Sequence, residues 1–154
     1  MGVRELGHVV LYVRDVRRSA AFYREVLGWE QKLPRPDDPA SAALPVAMFS
    51  SGRTHHELLL IDVGEDAQPV PSGRRLGMYH FGLKVGDTDE ELRAALHRLT
   101  DAGTPVLGAS DHGMTHSLYI ADTDGNEIEL YIDVPGVDWD DPAVLGAPAR
   151  PLRL

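Results

Sequence analysis

The sequence predicts an α+β fold made of two tandem βαβββ modules, and three observations predict it. First, 7-GHVVLYVRD-15 aligns without a gap over 79-YHFGLKVGD-87, placing His8 on His80, Leu11 on Leu83, Val13 on Val85 and Asp15 on Asp87. Second, each of these segments leads into apolar residues at helical spacing. Third, 56-HELLLIDV-63 lies over 127-EIELYIDV-134, so both copies close on similar strands. One supersecondary unit is used twice.

The elements follow in order. The first strand, 7–13, alternates and gives way to a helix whose Ala20, Tyr23, Val26 and Leu27 share a face and which Gly28 stops. Residues 34–45 are a polar loop, followed by strands over Val46 to Ser50 and His56 to Val63. The segment 64–75, rich in Gly, Pro and charge, reads as a linker between a first module at 5–63 and a second at 76–134. There the strand 79–85 precedes a helix with Leu92, Ala95, Leu96 and Leu99 on one face, a capping box at Thr88 and Glu91, and a stop at Gly103. Strands are expected at Pro105 to Leu107, Ser117 to Ala121 and Glu127 to Val134, the last two joined as a hairpin through 122-DTDGN-126. Residues 135–154 form a proline-punctuated tail expected to wrap the surface or a neighbouring subunit. The whole chain, 1–154, is read as one domain.

At 154 residues, 43% hydrophobic and 25% charged, the chain has the composition of an ordinary globular domain and can bury roughly two thirds of its unfolded surface. No run has the length of a bilayer span, and 1-MGVRELGH lacks a secretory apolar core. The formal charge is -9 and the basic clusters stop at the pairs Arg17-Arg18 and Arg74-Arg75, so neither nucleic acid nor an anionic membrane is the expected partner. With no cysteine, disulfides and thiolate metal sites are excluded, any metal must sit on His, Asp or Glu, and a reducing cytoplasm is the expected compartment. A small-molecule role gains by subtraction.

A lone histidine on an apolar strand is more often a satisfied core residue than a ligand, but His8 and His80 occupy the same place in both repeats. In 125-GNEIELYID-133, alternation sets Ile128 and Leu130 against the helix and turns Glu127, Glu129 and Tyr131 to the other face. An unpaired carboxylate there is unfavourable unless it binds a cation. Two imidazoles and one carboxylate from three strands form a facial set with open positions, suited to Fe(II) or Mn(II), with Zn(II) or another divalent metal as an alternative. By the alignment Leu58 stands where Glu129 would be in the first module, so His8, His80 and Glu129 are the expected metal ligands.

These residues, in 7-GHVVLYV-13, 79-YHFGLKV-85 and 122-DTDGNEIEL-130, resemble the vicinal oxygen chelate superfamily, which includes glyoxalase I, bleomycin-resistance proteins and type I extradiol dioxygenases. The resemblance covers residues 5 to about 134 and implies a cupped, mostly antiparallel sheet with helices outside and a metal on the concave face. The run 111-DHGMTHSLYIADTDGNEIEL-130 resembles the extradiol dioxygenase signature, in particular that of single-domain catechol 2,3-dioxygenase-like members. It implies a substrate role for Tyr119, which by its own chemistry fits a core tyrosine equally well. His112, otherwise an exposed loop histidine, is implied to reach over the substrate. In 53-RTHHELLLI-61, His56 resembles the family's acid–base histidine and shares parity with Leu58. His55 is then expected to face away, and His97 and His116 to be structural.

The resemblance implies an Fe(II)-dependent extradiol ring-cleaving dioxygenase acting on a catechol-type aromatic diol and O2, as a homodimer. Two alternatives stand beside it. One is a glyoxalase-like lyase or isomerase, or a fosfomycin-resistance-like thiol transferase, on the same metal triad. The other is a non-catalytic drug-binding resistance protein, against which three intact ligands argue.

Overall fold

The computed structural model describes residues 2–35 and 37–154. They form two compact units, one ending at Pro69 and the other beginning at Val70.

The first unit runs β1 (Val9–Val13), α1 (Val16–Ala21), a π-helical turn (Phe22–Val26), β2 (Gln31–Leu33), a 3-10 turn (Ser41–Ala43), β3 (Val46–Phe49) and β4 (Leu58–Asp62). Its sheet has the order β1-β4-β3-β2, with β1 and β4 parallel and the other pairings antiparallel. Alternation decides which face is covered. Leu11 and Val13 of β1, Ala47 and Phe49 of β3, and Leu58 and Leu60 of β4 are buried with Val16, Ala20 and Tyr23 of the helical segment. Each fully buried apolar side chain of this size contributes about 1.5–3 kcal/mol. Val10 and Tyr12 point the other way and are exposed.

Two carboxylates start the helix. Asp15 accepts from the backbone N–H groups of Arg17 and Arg18 at 2.8 and 3.1 Å, and Asp62, ending β4, accepts from that of Val16 at 3.0 Å. Together they satisfy donors that the first turn leaves unpaired. The predicted stop holds: Gly28 has φ 71° and the Trp29 N–H reaches the Tyr23 carbonyl at 3.0 Å. The short strand β2 is an addition to the predicted elements.

The second unit runs β5 (His80–Gly86), α2 (Asp89–Asp101), β6 (Gly108–Asp111), β7 (Thr115–Ala121), β8 (Glu127–Asp133), α3 (Pro142–Leu145) and β9 (Arg150–Pro151). The sheet order is β5-β8-β7-β6-β9, with only β5 and β8 parallel among the described strands. Leu92 and Leu99 of α2 are buried with Leu118 and Ile120 of β7 and Ile128, Leu130 and Ile132 of β8. The capping box forms: the Thr88 hydroxyl accepts from the Glu91 N–H at 3.3 Å, while Glu91 accepts from the Asp87 N–H at 2.8 Å.

Gly86 ends β5 beside that cap, and a Cβ there would lie 2.5 Å from the Glu91 Cβ. Gly86→Ala is therefore expected to destabilise the protein by about 1–3 kcal/mol, as overpacking does, measured by urea unfolding.

Two expectations change. The strand placed at Pro105 to Leu107 lies instead at Gly108–Asp111; Pro105 has no N–H to offer, and only the Leu107 N–H reaches the β7 carbonyl of Tyr119, at 2.7 Å. The tail is more ordered than its proline content suggests. Asp141 caps α3 through the Ala143 N–H at 2.8 Å, and β9 pairs antiparallel with β6 at the edge of its own unit's sheet. The hairpin turn is as predicted: Asp122 Oδ1 accepts from the N–H groups of Asp124 and Asn126 at 3.0 and 2.9 Å, and Gly125 has φ 90°. That turn sets the register in which Tyr119 stands opposite Glu129.

Candidate metal and substrate site

Four of the six residues singled out by sequence meet on one face of the second unit's sheet. His80 opens β5, Glu129 lies in β8, Tyr119 in β7 and His112 in the turn after β6. That turn is held by the His112 N–H donating to the Thr115 carbonyl at 2.9 Å and the Gly113 N–H donating to Asp111 at 2.7 Å. The Tyr119 hydroxyl donates to Glu129 Oε1 at 3.2 Å and lies 2.8 Å from His112 Nε2. With its single proton committed to Glu129, the phenol accepts from His112. Burial first, then the neighbouring Glu129 charge and hydrogen bond, push the Tyr119 hydroxyl up to about 12. It is a neutral donor across the physiological range.

His80 Nε2 stands 3.3 Å from Glu129 Oε2. Two ligands held about 2.0–2.2 Å from one ion at near-right angles lie roughly 3 Å apart, so this pair fits a shared divalent cation. Gly82, the strand partner of Glu129, leaves the approach open: a Cβ there would meet the Tyr131 ring at 3.1 Å and Glu129 Oε2 at 3.7 Å. His80 Nδ1 is buried and has no hydrogen-bond partner among the described residues. A buried polar atom left unmet is unfavourable by about 1–3 kcal/mol. Among the described residues no three of His, Cys, Asp and Glu form a ready ligand group.

In the first unit, His8 precedes β1 on the side of Val10 and Tyr12, is exposed, and has its ring centroid 4.7 Å from that of His56. His56 sits in the loop before β4, not within the strand, so the parity argument that aimed it was misplaced. Its neighbour His55 does not face away: the two Nδ1 atoms are 2.6 Å apart. Burial first, then the positive charges His55 and His8 can carry, hold His56 below the ordinary imidazole range, leaving it neutral and able to accept a proton near pH 7.

The register also corrects one equivalence. Val10, two residues after His8, pairs with Leu59, as Gly82, two after His80, pairs with Glu129. The counterpart of Glu129 is thus Leu59 rather than Leu58, which is buried on the helix side. Both are leucines, and the first unit still offers no second carboxylate at that position.

Sequence reasoning missed two residues that build the first unit's histidine loop. Glu57 accepts from the Ser51 N–H at 2.6 Å and from Arg53 Nε at 2.9 Å, while Arg53 also donates to the carbonyls of Leu6 and Gly7 at 3.3 and 3.2 Å. They tie the segment before His8 to the loop bearing His56. Of the other histidines, His97 is exposed on α2, and His116 is bound to Asp89 at 2.6 Å on the helix side of the sheet.

Residues 5–130 match the family model for the Glyoxalase/Bleomycin resistance protein/Dioxygenase superfamily. The chain belongs to that superfamily. A catechol-2,3-dioxygenase of Bacillus subtilis (strain 168) is 34% identical over 134 residues, covering 87% of this chain and 43% of that protein. This superfamily member therefore spans less than half the length of that relative. A lactoylglutathione lyase of Salmonella typhimurium is 30% identical, covering 81% of this chain and 90% of that protein. The crystal structure of lactoylglutathione lyase from Agrobacterium tumefaciens superposes with a TM-score of 0.58 at 30% identity, over 81% of this chain and 90% of that one. No helix among the described residues of this superfamily member is long and apolar enough to cross a membrane.

Proposed function

We propose that this superfamily member is an extradiol ring-cleaving dioxygenase that opens a catechol-type aromatic diol with O2, holding Fe(II), or Mn(II) in its place, on His8, His80 and Glu129. The observation that carries the proposal is the chain His112–Tyr119–Glu129, which sets two hydrogen-bond donors beside the proposed ligand carboxylate. Ring cleavage develops negative charge on the diol oxygens, which such donors stabilise. When bound, the divalent ion offers open positions to both diol oxygens and to dioxygen. His56, held neutral, would take a proton from the second diol hydroxyl and return it to the ring-opened product. Tyr119 and His112, whose protons point along the chain toward Glu129 in the free protein, turn them to the diol oxygens when the diol binds and so orient it. Both oxygen atoms end in the product, and the ring carbon–carbon bond next to the diol is broken. A homodimer is the assembly proposed with this reading.

Reconstitution with Fe(II) under anaerobic conditions, then mixing with a panel of catechols in air, tests it. A yellow ring-cleavage product with stoichiometric oxygen uptake is expected from at least one of them. Metal retention without oxygen uptake across the panel would move the assignment to the second reading, a lyase or epimerase on the same ligands. The specific observation favouring that reading is similarity: the Salmonella lyase is 30% identical with 90% of it covered, and a Cereibacter sphaeroides ethylmalonyl-CoA/methylmalonyl-CoA epimerase is 31% identical with 78% of it covered.

A further inference from the structure

The second carboxylate at the head of β8, Glu127, has no part in the function proposed above, yet it stands at the metal-ligand histidine. His80 and Glu127 are direct partners across the parallel β5–β8 pair. Glu127 Oε1 is 3.7 Å from His80 Nδ1, the buried nitrogen that lacks a hydrogen-bond partner. On the far side of the ring, Nε2 faces Glu129. The Tyr79 phenol hydrogen-bonds to Glu127, and its ring centroid lies 4.7 Å from that of the His80 imidazole. One histidine is thus bracketed by two carboxylates, one at each nitrogen.

We infer that Glu127 is the positioning residue for His80: with Tyr79 holding it, Glu127 receives the Nδ1–H, fixes the tautomer with its lone pair on Nε2, and so presents Nε2 to the metal. A neutral imidazole carries one N–H, and the partner of one nitrogen decides which lone pair is free. A carboxylate behind a ligand histidine also raises its basicity, and loss of such a partner typically weakens metal affinity 10–100-fold. The 3.7 Å separation is longer than a hydrogen bond, so the inferred bond requires Glu127 to turn toward Nδ1 while Tyr79 stays beside it.

This inference rests on the proposed role of His80 as a ligand, and the test separates the two. Long-range proton–nitrogen correlation spectra of the metal-free Glu129→Ala protein, which removes the carboxylate that competes at Nε2, at about pH 8, above the ordinary imidazole range, should show His80 in the Nδ1–H form. With Glu127→Ala added that preference should be lost; with Glu127→Gln, whose amide oxygen still accepts, it should persist. Mn(II) binding, followed by titration, should weaken about 10–100-fold in Glu127→Ala and by a smaller factor in Glu127→Gln. A Glu127-dependent tautomer in the Glu129→Ala background, together with a wild-type protein that binds no Mn(II), would sink the metal reading while upholding the positioning role. An unchanged His80 tautomer with unchanged Mn(II) affinity in Glu127→Ala would overturn it. Should the alanine variant fail to fold, a Glu127→Gln protein in the Nε2–H form would do the same.

Discussion

Glu129→Ala is expected to lower affinity for a divalent metal at least about 100-fold, more than the loss of an outer-shell partner, with the fold intact. Among the described residues Glu129 is the carboxylate set against His80 Nε2, and the substitution removes the proposed anionic co-ligand. The readout is thermal: at a concentration of Mn(II) about 100 times its dissociation constant, binding stabilises the native protein by about 2.7 kcal/mol. The wild type should show that gain, and Glu129→Ala, bound at least about 100-fold more weakly, should show no more than about 0.4 kcal/mol. His8→Ala and His80→Ala should behave alike. Full metal occupancy in any of the three would remove that residue from the ligand set. Glu129→Gln is an informative companion, because it keeps an acceptor for the Tyr119 hydroxyl while removing the charge.

His56→Phe is expected to lower kcat by about 10²–10⁴-fold, the usual contribution of a positioned acid–base group, without loss of bound metal. Phenylalanine keeps the ring that packs beside His8 and removes both nitrogens. The pH profile gives a second check. Burial and the adjoining histidines lower the proton affinity of His56, so the acidic limb of kcat/KM should fall below the ordinary imidazole range and activity should rise as pH increases through it. A variant with wild-type turnover would show that another group moves the proton.

The second unit was readable from the chain because its chemistry obeys strand periodicity. Glu129 and Tyr119 alternate with Ile128, Leu130, Leu118 and Ile120, whose burial against α2 fixes which face the polar residues take. Parity worked less well in the first unit. There the loop 51–57 bends before β4, so His55 and His56 do not follow the strand's alternation, and their Nδ1 atoms meet. The alignment of the closing strands was also one residue off, since a sheet's equivalences come from hydrogen-bond register: Leu59, not Leu58, occupies the place of Glu129. Short edge strands escaped for a different reason. Gln31–Leu33 and Arg150–Pro151 have too few residues to show a period, and Gly108–Asp111 is half-buried throughout, with no apolar alternation to announce it. Arg53 and Glu57 act through loop hydrogen bonds, which leave no spacing signature.

The hairpin turn at 122–126 has a meaning beyond its own stability. Its Asp122 carboxylate locks the turn through three groups of Asp124 and Asn126, and the strands it joins carry Tyr119 and Glu129 face to face. Tyr119 lies three residues before this bend and Glu129 three residues after it, so the turn acts as the spacer that keeps the phenol and the carboxylate level with each other, and a residue inserted into or removed from it would slide one past the other.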